Sequence, residues 1–173
     1  MRYGTLAGPI VAAAARNARG QARVRSTRST GVNLVTFGAL ANGVGEASRV
    51  VGSLLADGHH QFAGYTYDVI GGDQKVELPS PGDPLFPVTL SALNAPDHVA
   101  AAAVFPRLYL PWRHRIGVWH WEVDVFPLLH RLAGHVTDEV WTTSRYQQEL
   151  MAAEYGLPVH VLPLPVQLSS RDP

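Results

Sequence analysis

Three apolar, β-type runs separated by helix-length segments, all between Ile116 and Val166, constrain the fold more than any other feature of the chain. They read Ile116-Gly-Val-Trp-His-Trp-Glu122, Asp138-Glu-Val-Trp-Thr-Thr-Ser-Arg145 and Pro158-Val-His-Val-Leu-Pro-Leu-Pro-Val166. Runs this apolar suit strands covered on both faces, and the segments between them are long enough for helical crossovers. Together these properties describe a parallel sheet with helices packed on it. Each run turns polar or aromatic at its C-terminal end, which is the edge where open parallel sheets bind their ligands.

The same alternation extends upstream. Val32 to Phe37 is a β-branched and aromatic run and reads as the first strand. A loop with three glycines follows from Gly38 to Gly45. Next comes a helix with apolar Ala47, Val50, Val51, Leu54 and Leu55, closed by Gly58. His60 to Tyr67 alternates like a strand, and residues 68–87 form a long loop rich in proline and glycine. Val88 to Leu93 is a strand, and Asp97 to Phe105 an Ala-rich helix between Pro96 and Pro106. Further strands are expected over Arg115 to Trp121, Glu139 to Thr142 and Val159 to Leu164. Helices are expected over Val125 to Ala133 and from Ser144 to Gly156, the latter opened by a capping box of Ser144 and Gln147. The fold class is therefore α/β: a three-layer, Rossmann-like domain with a mostly parallel sheet.

Composition narrows the function. The 173 residues are 46% hydrophobic and 16% charged, with zero formal net charge. That is the profile of a folded domain and argues against nucleic-acid binding. The charge is uneven, because Arg2, Arg16, Arg19, Arg23, Arg25 and Arg28 all precede the first acid, Glu46. Residues 1–30 thus form a basic arm able to touch an anionic membrane surface. The absence of cysteine excludes a disulfide, a thiolate metal site and a catalytic thiol. No apolar run is long enough to span a bilayer, the eight histidines show no ligand-like spacing, and no metal is expected. The location expected is cytoplasmic; the arm reads first as a surface helix followed by an Arg/Ser/Thr linker, with peripheral contact at the inner face of the membrane as the alternative. Residues 31–166 form the domain proper, and residues 167–173 read as the start of an interdomain linker with a further domain beyond.

The candidate site residues cluster at the ligand edge. The glycine loop ending in Gly43 and Gly45 leads into a helix N-terminus, whose free N–H groups and dipole attract an anion. Glu46 in the first turn either pairs with the dipole or Arg49, or meets a ligand. The same loop nearly matches a dinucleotide fingerprint, but Ser48 replaces the third glycine and the loop lies too far from the strand. His120 and Glu122, where the fourth strand leaves the sheet, are the candidate catalytic pair, able to hydrogen-bond sugar hydroxyls. Trp121 offers an indole face for a sugar ring, or packs between sheet and helix as Trp119 is expected to do. Trp141 reads as core. Ser144 caps a helix and also faces the ligand edge.

Taken in order, Gly31-Val-Asn-Leu-Val, Gly43-Val-Gly-Glu-Ala, Ile116-Gly-Val-Trp-His-Trp-Glu, Asp138-Glu-Val-Trp-Thr-Thr-Ser-Arg and Pro158-Val-His-Val-Leu-Pro resemble the N-terminal half of family 4 glycosyltransferases. These are retaining enzymes with two Rossmann-like domains (the GT-B fold), including many bacterial hexosyltransferases of glycan biosynthesis. The resemblance covers about Gly31 to Val166. It implies an acceptor-binding domain, for a sugar, lipid or glycan acceptor, that works with a C-terminal domain holding the nucleotide-sugar. It implies no cofactor and no metal, the nucleotide-sugar being a co-substrate. It places Gly43 and Gly45 near the diphosphate, and Glu46, His120 and Glu122 around acceptor or transferred sugar. The C-terminal elements of that family, its paired glutamates and basic pair, are absent here, so the chain alone is expected to be inactive. The alternatives left open are a noncatalytic Rossmann-like binding module and an NAD-binding domain.

Overall fold

Six parallel strands make one sheet in the computed structural model of the chain, which describes residues 30–37, 43–67 and 86–163. The strands are β1 (Val32–Thr36), β2 (Phe62–Thr66), β3 (Val88–Ala92), β4 (His114–Val118), β5 (Glu139–Thr142) and β6 (Val159–Val161). The helices are α1 (Gly43–Asp57), α2 (Ala95–Val104), α3 (Leu128–Ala133) and α4 (Arg145–Tyr155), with short 3-10 turns at Pro106–Leu108 and Gly134–Val136. The basic arm, the Pro/Gly-rich loop over residues 68–85 and the linker residues 167–173 lie outside the described residues. What is described is the expected Rossmann-like three-layer α/β fold.

The strand order is β2-β1-β3-β4-β5-β6. The chain moves outward from β1 to β2, then returns to the other side of β1 and continues in one direction. That reversal creates a topological switch point between β1 and β3. Because parallel crossovers are right-handed, reversing direction also moves the helices to the opposite face. The core shows it. On one face Leu34, Leu90, Ile116 and Val118 pack with Val51 of α1. On the other, Val35, Tyr65 and Leu93 meet Ala101 and Phe105, and Trp119, Val140 and Val159 meet Ala133 and Met151.

Several boundaries differ from the sequence expectation, each for a local reason. α1 begins at Gly43, so Gly43 and Gly45 belong to its first turn and not to a loop. α3 begins at Leu128 rather than Val125; Pro127 sits at the N-cap with extended backbone, and a residue preceding proline is disfavoured in a helix. β4 ends at Val118 because its hydrogen-bond ladder stops. Trp119 N–H still donates to the Trp141 carbonyl, at 2.9 Å, but His120 N–H turns to the Asn94 side chain instead. Trp141 is half-buried: it packs against the core cluster of Leu34, Leu90, Ile116 and Val118, while its Nε1–H donates to Glu139 Oε1 at 2.8 Å and with His160 and Leu162 it lines an open groove of about 340 Å³ on β5 and β6. The α4 boundaries agree. Ser144 Oγ accepts from Gln147 N–H at 3.2 Å, and Gly156 closes the helix in the left-handed conformation at φ 62°. The Gln147 side chain does not reach back to Ser144, as a full capping box requires. Its Oε1 accepts from the Thr142 and Thr143 hydroxyls and from Thr143 N–H.

Candidate functional site

The carboxyl ends of β1, β3 and β4 meet the N-termini of α1 and α2, and three side-chain links hold this edge together. Ser48 Oγ, buried in α1, donates to the Ala92 carbonyl at 2.5 Å and fixes α1 over the end of β3. Asn94 occupies the N-cap of α2 without capping it; its Oδ1 instead accepts from His120 N–H at 3.3 Å. The segment after β4 is thereby fastened to the segment after β3. Behind it, Trp119 is 1% exposed and its Nε1–H donates to His98 Nδ1 at 3.2 Å. The bond makes Nδ1 an acceptor, and burial pushes His98 down to about 3, so this imidazole is a neutral structural group.

His120 is half-buried where β4 exits. Burial lowers its pKa, and the charge of Glu122 pulls it back upward. The ring is therefore held neutral at physiological pH, free to accept or donate a hydrogen bond, with a carboxylate close enough to influence it. Glu122 itself is exposed. Both lie just beyond the end of β4.

The remaining expected residues divide. Among the described residues nothing lies within 4 Å of where a Cβ at Gly43 would stand, so no described neighbour requires glycine there. Gly45 is buried in the first turn of α1. Glu46 forms an exposed ion pair with Arg49 at 2.6 Å, the local pairing its spacing allows. Trp121 uses its indole to brace its own loop. Nε1–H donates to the Val125 carbonyl at 3.1 Å, and the ring lies on His130, centroids 3.8 Å apart, and near Phe126. Ser144 acts as the helix cap described above.

Sequence reasoning missed Asp97. It sits in the first turn of α2, where an acid is ordinarily a helix-dipole partner. Here burial dominates and pushes its carboxyl up to about 6, against its own backbone N–H, which favours the charged form. A half-buried carboxyl beside a switch point, titrating near neutrality, is a recognised mark of functional sites. Pro96-Asp97 after a strand was the available signal, and it is shared by any helix start. Asn94 was missed too, since its long-range bond to His120 leaves no trace in sequence.

Among the described residues, no group of three or more His, Asp or Glu side chains is placed to hold a metal ion. Among them also, no helix is long and apolar enough to cross a membrane. Comparison of the chain with family models, curated proteins and solved structures found no match.

Proposed function

We propose that this domain is the acceptor-side half of a retaining glycosyltransferase, moving a hexose from a nucleotide-sugar to an acceptor hydroxyl. The observation that carries the reading is His120: a half-buried imidazole at the carboxyl edge of β4, its backbone anchored to Asn94 and its pKa lowered by burial. The motif resemblance around Trp119 to Glu122 supports the same assignment. In this reading His120 and Glu122 orient the hydroxyl and the transferred sugar, while N–H groups of the first turn of α1, from Gly43 and Gly45, face the diphosphate. The nucleotide-sugar is held mainly by a C-terminal domain, which completes the cleft.

Catalysis then depends on both walls, because rate comes from holding donor and acceptor in near-attack geometry. The purified 173-residue chain is expected to transfer no labelled hexose. In the chain joined to its second domain, His120→Ala should lower transfer by about 10²-fold or more. Transfer by the isolated chain above a Gly43→Trp control, or an unchanged rate in His120→Ala, would overturn the proposal.

A noncatalytic binding module is the second reading. It is favoured by the commitment of Trp121 to its own loop and of Glu46 to Arg49, which removes two expected sugar contacts. Joining the second domain separates the two readings, since a binding module gains no transfer from it.

A further inference from the structure

All-parallel sheets are found with both faces covered, and among the described residues half of one face of this sheet is bare. Successive strand residues point to opposite faces, so Ile116 and Val118 of β4, Glu139 and Trp141 of β5 and His160 of β6 share the face that carries α1. α1 packs on β1 and β3. The crossovers from β2 onward run towards β6, and their handedness places them on the opposite face. Over β5 and β6 the α1 face is left as the open groove of about 340 Å³, with Trp141, Val161 and Leu162 as its apolar lining and Leu162 37% exposed. Glu139 lines the same groove. Its Oε1 accepts from the Trp141 indole at 2.8 Å, and its Oε2 lies 3.3 Å from His114 Nε2 and 3.9 Å from His160 Nε2. Among the described residues no arginine or lysine pairs with this carboxylate.

We infer that this groove is the docking site of the chain's own N-terminal arm, with residues 6–15 lying on Trp141 and Leu162 and Arg16 meeting the Glu139 carboxylate. Charge complementarity selects this occupant. Arg16, Arg19, Arg23, Arg25 and Arg28 precede β1 with no acid among them, whereas residues 164–173 set Arg171 beside Asp172. The apolar part also fits. Leu6, Ile10 and Val11 stand among alanines, whose small side chains allow close approach to a sheet, and Arg16 follows the last alanine directly. Position agrees as well: the arm joins the sheet where β1 begins, and Glu139 is the first residue of β5 at the same edge. Three strand spacings, about 14 Å, separate β1 from β5, and the residues between Arg16 and Val32 span up to about 50 Å when extended. Burial of the apolar lining supplies the attraction, and the ion pair fixes the register. Docking of the arm is independent of sugar transfer.

The chain has no cysteine, so Ala13→Cys gives the full 15N-labelled chain a single attachment point for a nitroxide. The nitroxide should strip the amide signals of Trp141, His160 and Leu162, spare those of α4 on the opposite face, and do so equally after dilution. Arg16→Glu, a change confined to the arm, exchanges an ion pair for like charges and should lower the docking equilibrium constant about fivefold. Adding Glu139→Arg to it should restore the losses at Trp141 and His160. Losses spread evenly over both faces of the sheet, or unchanged by Arg16→Glu, would overturn the docking as stated. Losses that fade on dilution would assign the groove to a second copy of the chain and overturn it too. Intact groove signals, with the arm's own signals broadened only when phosphatidylglycerol vesicles are added, would assign the arm to a membrane surface instead.

Discussion

Replacing Asp97 by asparagine should stabilise the fold at neutral pH, although it removes an acid from a helix N-terminus. Two effects oppose each other. A charged acid in the first turn gains about 0.3–1 kcal/mol from the helix dipole. Against this, the Asp97 carboxyl is pushed from 3.8 up to about 6 by burial, the first and largest cause of its displacement. At about 1.4 kcal/mol for each tenfold change, that displacement corresponds to an upper bound of about 3 kcal/mol. Asp97 is only half-buried, so solvent screening reduces the figure to about 1–2 kcal/mol. Burial wins.

The sign follows from proton linkage. The folded state holds its Asp97 proton to higher pH than the unfolded chain does, so between about 4 and 6 the native form binds more protons and stability from this group falls as pH rises. Its contribution is fully present below 3.8 and lost through about 6. His98 and His130, pushed down by burial to about 3 and about 4, act in the opposite direction over an overlapping range. The total pH profile therefore does not isolate Asp97, but the difference between variant and unaltered chain does. Urea unfolding followed by tryptophan fluorescence measures it. Less the dipole contribution, about 0.5–1 kcal/mol remains, so with a urea slope of roughly 2 kcal/mol/M for a domain of this size the midpoint of Asp97→Asn should rise by about 0.3–0.5 M at pH 7.5. The gain should shrink towards zero near pH 4. An Asp97→Asn midpoint at or below that of the unaltered chain at pH 7.5 would refute the burial argument.

Three further outcomes follow from the packing. Gly117→Ala would place a Cβ 2.4 Å from Trp119 Nε1, on a ring held by His98 and Tyr155, and should cost about 2–3 kcal/mol by overpacking; an unchanged Tm would show that the ring can move. Asp138→Asn breaks a two-oxygen pairing with the Arg115 guanidinium at 2.9 and 2.7 Å and should cost about 1–2 kcal/mol at pH 7. The Arg115 hydrogen bonds hold the Asp138 pKa below its ordinary value, so that contribution disappears as pH falls through it and the two urea midpoints should converge in acid. Ser144→Ala removes the α4 cap and should cost about 1 kcal/mol, read as a lower melting temperature by circular dichroism.

Amino-acid sequence alone determined the alternation of strands and helices, the cap at Ser144, the stop at Gly156 and the placing of His120 and Glu122 at a strand exit. These depend on hydrophobic period and turn chemistry, which are written within a few neighbouring residues. Tertiary structure decided what each of those residues touches. Trp121 has the same local sequence whether its indole is offered to a sugar or folded onto His130, and only the path of the loop to α3 selects the second. Glycines 43 and 45 read as a loop until α1 is seen to start at Gly43. Asp97 reads as an ordinary first-turn acid, because the burial that alters it comes from other parts of the chain. The strand order that brings β3 beside β1, and so creates the switch point, is likewise a property of long-range pairing. Local segments specify their own conformation; their neighbours are chosen only when the whole sheet closes on its core, and a site assembled from neighbours is legible only then.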